Sequence, residues 1–265
     1  MQYLLGITPV GKFEEITYNT FKEDNMSKLA VSEIFGPTIQ GEGKTAGKPV
    51  VFLRLAGCNL ACIWCDTPYT WNWIGTKFQH ALKFNPKEQV KTLQMSDVLH
   101  QILEIGSQVK ALVISGGEPL LQQQQLIPLL EALKAQGWWI EVETNGTIVP
   151  KSSFLALVDQ VNCSPKLSNS GTDNDNKRVV SKALEILSQS IKTVFKFVIS
   201  SVLELDEIKQ LVADYEMKEV YLMSEGQTKD EQEANQRTIA ELAKDNNFNF
   251  SPRLHVLIWG TKRGV

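Results

Sequence analysis

Two periodicities alternate along most of this chain. Short apolar runs at 50–55, 111–114, 139–142, 160–162, 193–198, 219–223 and 254–258 read as strands. Helical spacing separates them. Leu126, Leu129, Leu130 and Leu133 recur at i, i+3, i+4 and i+7 within 122–136, and Gly137 follows as a C-cap. Leu205, Ile208, Leu211, Val212 and Tyr215 repeat that spacing, and Ser96 is placed to cap a helix carrying Leu99, Ile102 and Leu103. Such alternation predicts an α/β fold, a parallel sheet with crossover helices, either open or closed into a barrel. In both, ligands gather at the C-terminal ends of the strands. The polar and glycine-rich turns fall there: Cys58 after the first run, Ser115 to Pro119 after the second, Thr144 to Gly146 after the third, Ser164 to Lys166 after the fourth, and Ser224 to Gly226 after the sixth.

With 265 residues, 43% of them hydrophobic, the chain can bury a sizeable core as one domain. Residues 1–29 read as an N-terminal extension, with Met26 a second candidate start, and 30–265 as the core. A net charge of −3 gives no global basic field for nucleic acid or an anionic membrane. No apolar stretch approaches the roughly 20 residues of a membrane span. The N-terminus lacks the basic region and cleavage site of a signal peptide, so a cytoplasmic protein is expected.

Cysteine placement changes the picture most. Cys58, Cys62 and Cys65 fall within eight residues, in a loop just past a strand, while Cys163 stands far away and reads as structural. Three thiolates at this spacing can wrap one face of a 4Fe–4S cube and leave its fourth iron open for chemistry. The competing reading is a zinc site made of these thiols and a histidine. Zinc sites normally pair two ligand hairpins, and His80, His100 and His255 are isolated, each reading as a packed or surface residue.

Cys58-x3-Cys62-x2-Cys65, with Trp64 before the last cysteine, resembles the radical S-adenosylmethionine (SAM) superfamily, and Ser115-Gly116-Gly117-Glu118-Pro119 resembles its GGEP motif. Residues 33–73, with the Gln40-Gly41-Glu42-Gly43 segment and Cys65-Asp66-Thr67, together with Asn162-Cys163-Ser164-Pro165-Lys166, resemble the 7-carboxy-7-deazaguanine synthase family over about residues 30–265. The resemblance implies an incomplete, modified (β/α) barrel of parallel strands. It also implies a homodimeric lyase of queuosine biosynthesis that uses a 4Fe–4S cluster, SAM and Mg2+. That lyase would contract the ring of 6-carboxy-5,6,7,8-tetrahydropterin with loss of ammonia, with electrons from a flavodoxin-type reductant. Residue by residue, it assigns Cys58, Cys62 and Cys65 to the cluster and Thr67 to magnesium. SAM falls to Ile63, Trp64, Asp66, Gly117, Ser164, Pro165, Lys166, Met223, Ser224, Glu225 and Gly226. The substrate falls to Ile39, Gln40, Gly41, Arg54, Ser115 and Val265. Met223 to Gly226 departs from the family's usual pattern, and Ser115 stands where the family often has threonine.

Several of these assignments carry a second reading from the chemistry alone. Arg54, on a strand expected to be buried, requires a carboxylate partner, either the substrate's or an internal one. The 36–43 region, with Gly36, Pro37, Gly41 and Gly43, also reads as a simple turn. Thr67 alone would be a loop threonine. The polar stretch 169–178 reads equally as a flap over the site or as a solvated loop. The rival functions are a radical SAM activating enzyme for a glycyl-radical protein and a non-catalytic iron–sulfur or zinc module.

Overall fold

A nine-stranded sheet organises the chain in the computed structural model, which describes residues 28–76, 82–171 and 175–265. Its spatial order begins with β3 (Lys91–Gln94), β1 (Lys28–Ile39), β2 (Pro49–Leu55), β4 (Ala111–Gly116) and β5 (Trp139–Thr144). It continues through β6 (Gln160–Cys163), β7 (Thr193–Ile199), β8 (Val220–Ser224) and β9 (Asn249–Ser251). All neighbours from β2 to β9 are parallel, whereas β1 runs antiparallel to both β2 and β3. Among the described residues β3 and β9 are its two edges and the sheet does not close, as expected of an incomplete barrel.

The helices are α1 (Pro86–Gln89), α2 (Met95–Ile105), α3 (Gln123–Ala135), α4 (Ser152–Leu157), α5 (Asp175–Arg178), α6 (Ser181–Gln189), α7 (Leu205–Tyr215), α8 (Lys229–Asp245) and α9 (Leu254–Trp259). Among the described residues no helix is long and apolar enough to cross a membrane. The apolar stripe of α3, Leu126, Leu129, Leu130 and Leu133, is fully buried and joins one core with Leu112 and Ile114 of β4 and Ile140 and Val142 of β5. A parallel strand covered on both faces needs a continuous apolar run, which is why β4 was legible.

Some expectations fail for identifiable reasons. The run at 254–258 is helix α9, not a strand; so short a run cannot be assigned by periodicity alone. Only Val256 of it is buried, and Gly260, with φ +63°, ends the helix. Ser96 is not the cap of α2, because the helix already begins at Met95 and Gln94 occupies the cap position without a side-chain bond. β1 escaped notice because register shifts at Val31/Glu33 and Phe35/Thr38 break its alternation. β3 and β9 are short edges with little apolar signal. β1 starts at Lys28 and Leu29 is fully buried, so the core reaches slightly before residue 30. Residues 1–27, and with them Met26, lie outside the described residues, as does His80.

One side chain fixes where β2 leaves the sheet. The Gln122 carboxamide accepts from Ala30 N (2.8 Å) and donates to the carbonyls of Ala30 and Ala56 (both 3.1 Å). It thereby pins the start of the cysteine loop to β1. Gln122→Glu, nearly isosteric, would set a carboxylate against two carbonyl oxygens. We expect it to lower the unfolding free energy by about 2 kcal/mol or more and to cost more than Gln122→Ala, as read from urea denaturation midpoints.

Candidate active site

A cavity of about 240 Å³ opens where the strand ends meet, and its lining comes from both ends of the parallel strands. From the C-terminal ends come Arg54 of β2, Ser115 to Gly117 at the end of β4, Glu143 to Asn145 at β5, Ser164 and Lys166 after β6, and Met223, Glu225 and Gly226 around β8. The opposite end is supplied by β1. Because β1 is antiparallel, its last residue, Ile39, pairs with Pro49 at the beginning of β2, and the following residues Gln40 to Glu42 reach the cavity from below.

The cysteine loop closes one side, and Cys58, Cys62 and Cys65 all face the cavity. Burial pushes the Cys58 thiol up to about 12 and the Cys65 thiol to about 11, and it raises Cys62 as well. Such thiols are neutral at pH 7 and become thiolates only when a metal takes the proton's place. Donors already aim at the sulfurs: Leu60 N at Cys58 Sγ (3.5 Å) and the Trp71 indole N–H at Cys65 Sγ (3.3 Å). Among the described residues no three His, Cys, Asp or Glu side chains form a group that could hold one metal ion. A multi-iron cube, which gives each thiolate its own iron, suits three such sulfurs better than a single zinc does.

Two glycines let the β4 turn lie against this loop. A Cβ at Gly117 would stand 2.0 Å from the Gly57 carbonyl oxygen, and one at Gly116 2.1 Å from that of Leu55. Glu118, fully buried, does not line the cavity; it accepts from Leu120 N, Thr144 Oγ1 and Asn145 N (2.9, 2.8 and 2.7 Å) and so ties β4 to β5. Burial raises its carboxyl above the usual range.

A buried charge network forms the floor. Lys196, 2% exposed on β7, donates to Glu42 and Glu143 (2.8 Å each). Arg253 donates to Glu42 (3.0 Å), to the Gly226 carbonyl (2.6 Å) and to Asp66 of the cysteine loop. Burial opposes the charge on Glu42, but Lys196 and Arg253 overcome it and hold its carboxyl well below the usual range. Glu141 accepts from Gln40 (2.6 Å), Asn162 (2.6 Å) and Thr45 (2.7 Å), while burial and then the Glu143 charge raise its carboxyl. His255 stands 3.9 Å from Glu42, with its pKa lowered chiefly by burial, so its ring is neutral at pH 7.

The structure brings together most of the expected residues. Ile39, Gln40, Gly41, Arg54, Trp64, Asp66, Thr67, Ser115, Gly117, Ser164, Lys166, Met223, Glu225, Gly226 and Val265 line the cavity with the three cysteines. Ile63 is 64% exposed and, like Pro165 and the buried Ser224, lies off the lining. Arg54 pairs internally, its Nε donating to Glu33 (3.0 Å). The Gln40 N–H bonds Lys48 O (2.8 Å) and the Gly41 carbonyl accepts from Leu254 N (2.9 Å), so the turn reading of this segment also holds. Of 169–178, Arg178 is buried against Glu207 (2.5 Å), Asn169 O accepts from the Trp64 indole, and 172–174 lie outside the described residues. Cys163 is fully buried and off the cavity.

Glu42, Glu143, Lys196, Arg253 and His255 were missed. Lys196 had a signal: a lysine inside an apolar strand run requires partners. His255 lies within, and Arg253 just before, the 254–258 run that forms a helix instead of the expected strand.

Three thiols after the first parallel strand and a glycine pair after the second define the class as a radical SAM protein, and the Radical SAM superfamily model matches residues 53–180. Relatives cover nearly the whole chain. The 7-carboxy-7-deazaguanine synthase of Pyrobaculum aerophilum is 36% identical over 89% of this chain and 97% of its own length. That of Bacillus subtilis is 30% identical over 89% and 98%. The crystal structure of QueE from Escherichia coli superposes with a TM-score of 0.64 at 26% identity, covering 86% of this chain and 95% of that one. The chain belongs to the 7-carboxy-7-deazaguanine synthase family.

Glu42→Gln tests the floor. Losing this carboxylate leaves Lys196 and Arg253 each one partner short, and we expect an unfolding free energy lower by about 3 kcal/mol at pH 7. Because the Glu42 pKa is depressed on folding, its contribution is complete above pH 4.5 and is lost as pH falls below that value. Thermal melts against pH should therefore fall less steeply below 4.5 in Glu42→Gln than in the parent.

Proposed function

We propose that the chain converts 6-carboxy-5,6,7,8-tetrahydropterin into 7-carboxy-7-deazaguanine, contracting the ring with release of ammonia. The observation that carries this reading is one cavity lined at its rim by three thiols, Cys62 buried and Cys58 and Cys65 half-buried, and a glycine pair, and at its floor by paired carboxylates, amides and cations. Cys58, Cys62 and Cys65 would hold a 4Fe–4S cluster, which when bound supplies the electron that cleaves SAM. Gly117, whose missing Cβ lets the turn after β4 lie against the cysteine loop, keeps its backbone at the cavity wall, and the Lys166 ammonium, bonded to Ser164 Oγ (2.8 Å) and 5.3 Å from the Trp64 ring centre, offers a cation to the SAM carboxylate. Trp64, Asp66, Met223, Glu225 and Gly226 complete that wall, and Ile63, Pro165 and Ser224 are its neighbours in the chain.

At the substrate side, Arg54 and Ser115 are joined (3.3 Å) and face a carboxylate, while the Gln40 and Gly41 carbonyls each keep a second lone pair for a pterin edge beside Ile39. Thr67 would offer its hydroxyl to Mg2+, which favours oxygen ligands and keeps waters. The floor network holds each of its polar groups on a fixed partner, leaving the substrate to face oriented dipoles. We further propose that the enzyme is a cytoplasmic homodimer fed by a flavodoxin-type reductant, with the segment before Lys28 an extension to the catalytic core.

Anaerobic protein reconstituted with iron and sulfide, given SAM, reductant and the pterin, should form a product of the deazaguanine's mass. SAM cleavage without that product would reject the substrate, and zinc bound in place of iron would reject the enzyme. A second outcome concerns Trp71. Hydrogen bonds to ligand sulfurs stabilise the reduced, more negative cluster. Trp71→Phe, which removes the indole donor to Cys65 while keeping an aromatic side chain, should lower the cluster's reduction potential, followed by spectroelectrochemistry; an unchanged potential would deny the bond a role.

A further inference from the structure

One carboxylate behind the cavity-lining Arg54 serves two guanidinium groups far apart in the chain. Glu33, on β1, accepts from Arg54 Nε (3.0 Å) and the Tyr69 hydroxyl (3.2 Å) on one oxygen. Its other oxygen accepts from Nε (2.8 Å) and Nη2 (2.7 Å) of Arg263, a two-pronged contact. The Arg263 guanidinium also lies 3.5 Å from the Tyr69 ring centre and donates to the Gln89 side chain (3.0 Å). Arg263 stands two residues before Val265, which lines the cavity. A short C-terminal segment beyond α9 is thus fastened by ion pair, stacking and hydrogen bond at the place where it reaches the site.

The charges explain why the fastening bears on binding. Glu33 and Arg54 alone are neutral together, and the carboxylate would compete with any incoming anion for the guanidinium. With Arg263 docked, Glu33 is shared, and the trio Arg54, Glu33 and Arg263 carries one net positive charge beside Ser115. We propose that Arg263 is a positioning residue that straps the C-terminal segment over the cavity and frees Arg54 to take a substrate carboxylate. This rests on the reading of Arg54 given under the proposed function.

The test uses reconstituted enzyme and the variants Arg263→Gln and Arg263→Lys, with two readouts. In Arg263→Gln we expect the KM for the carboxypterin to rise about tenfold while kcat and the KM for SAM stay within about twofold. Hydrogen exchange of residues 258–265, measured without substrate, should be faster. Arg263→Lys, which keeps the charge but loses the fork and much of the stacking, should fall between parent and Gln. A pterin KM unchanged in Arg263→Gln, or one that rises in step with the KM for SAM, overturns the proposal. If the parent enzyme turns over no pterin, the substrate reading fails instead. Exchange then still decides the strap: faster exchange in Arg263→Gln upholds it, and unchanged exchange overturns it.

Discussion

A lysine ammonium buried in the middle of a parallel strand sets the terms for the rest of this structure. Every residue of β7 is buried, and Lys196 has almost no contact with solvent. Removing such a charge from water costs several kcal/mol unless partners surround it. Those partners cannot come from β7. Glu143 comes from β5 and Glu42 from the loop after β1, 154 positions away in sequence. Arg253, near the end of the chain, then balances Glu42 and reaches Asp66 in the cysteine loop. Satisfying one buried cation therefore assembles the segments that line the cavity, and the fold and the site are solutions to the same electrostatic problem.

The antiparallel β1 makes this solution available. In a wholly parallel sheet, every segment that follows a strand would lie on one rim. Reversing one strand delivers Gln40 to Thr45 to the other end, where Thr45 and Gln40 satisfy Glu141 and Glu42 meets Lys196. The interior between rim and floor can then be polar with its own groups already paired. A substrate dense in donors and acceptors requires such an environment, because its own desolvation must be matched group by group.

The parts of this arrangement that showed in the sequence are those whose signal is local. Fully buried strands such as β4 read as unbroken apolar runs, α3 shows a regular leucine stripe, and the cysteine triad and glycine pair owe their spacing to a single loop each. What stayed hidden depends on distant pairing. β1 carries register shifts that erase its alternation, and Glu42, Arg253 and His255 look like ordinary surface residues until the sheet brings them together. Arg54 lay between the two cases. Its need for a carboxylate could be foreseen, but its having Glu33 as partner, itself shared with Arg263, could not.

The two halves of the cavity differ in how their charge is managed, and the difference follows their chemistry. At the floor every ion is paired before any ligand arrives, which gives fixed dipoles and little reason to move. At the cysteine loop the thiols are neutral, burial having raised them, and the donors from Leu60 and Trp71 point at sulfurs that do not yet carry charge. These donors favour the thiolate over the thiol, so part of the cost of ionising the cysteines is met by geometry already in place. A rigid paired floor and a rim built for charge that arrives with its metal allow one small cavity to hold a polar substrate still while the chemistry is confined to the opposite wall.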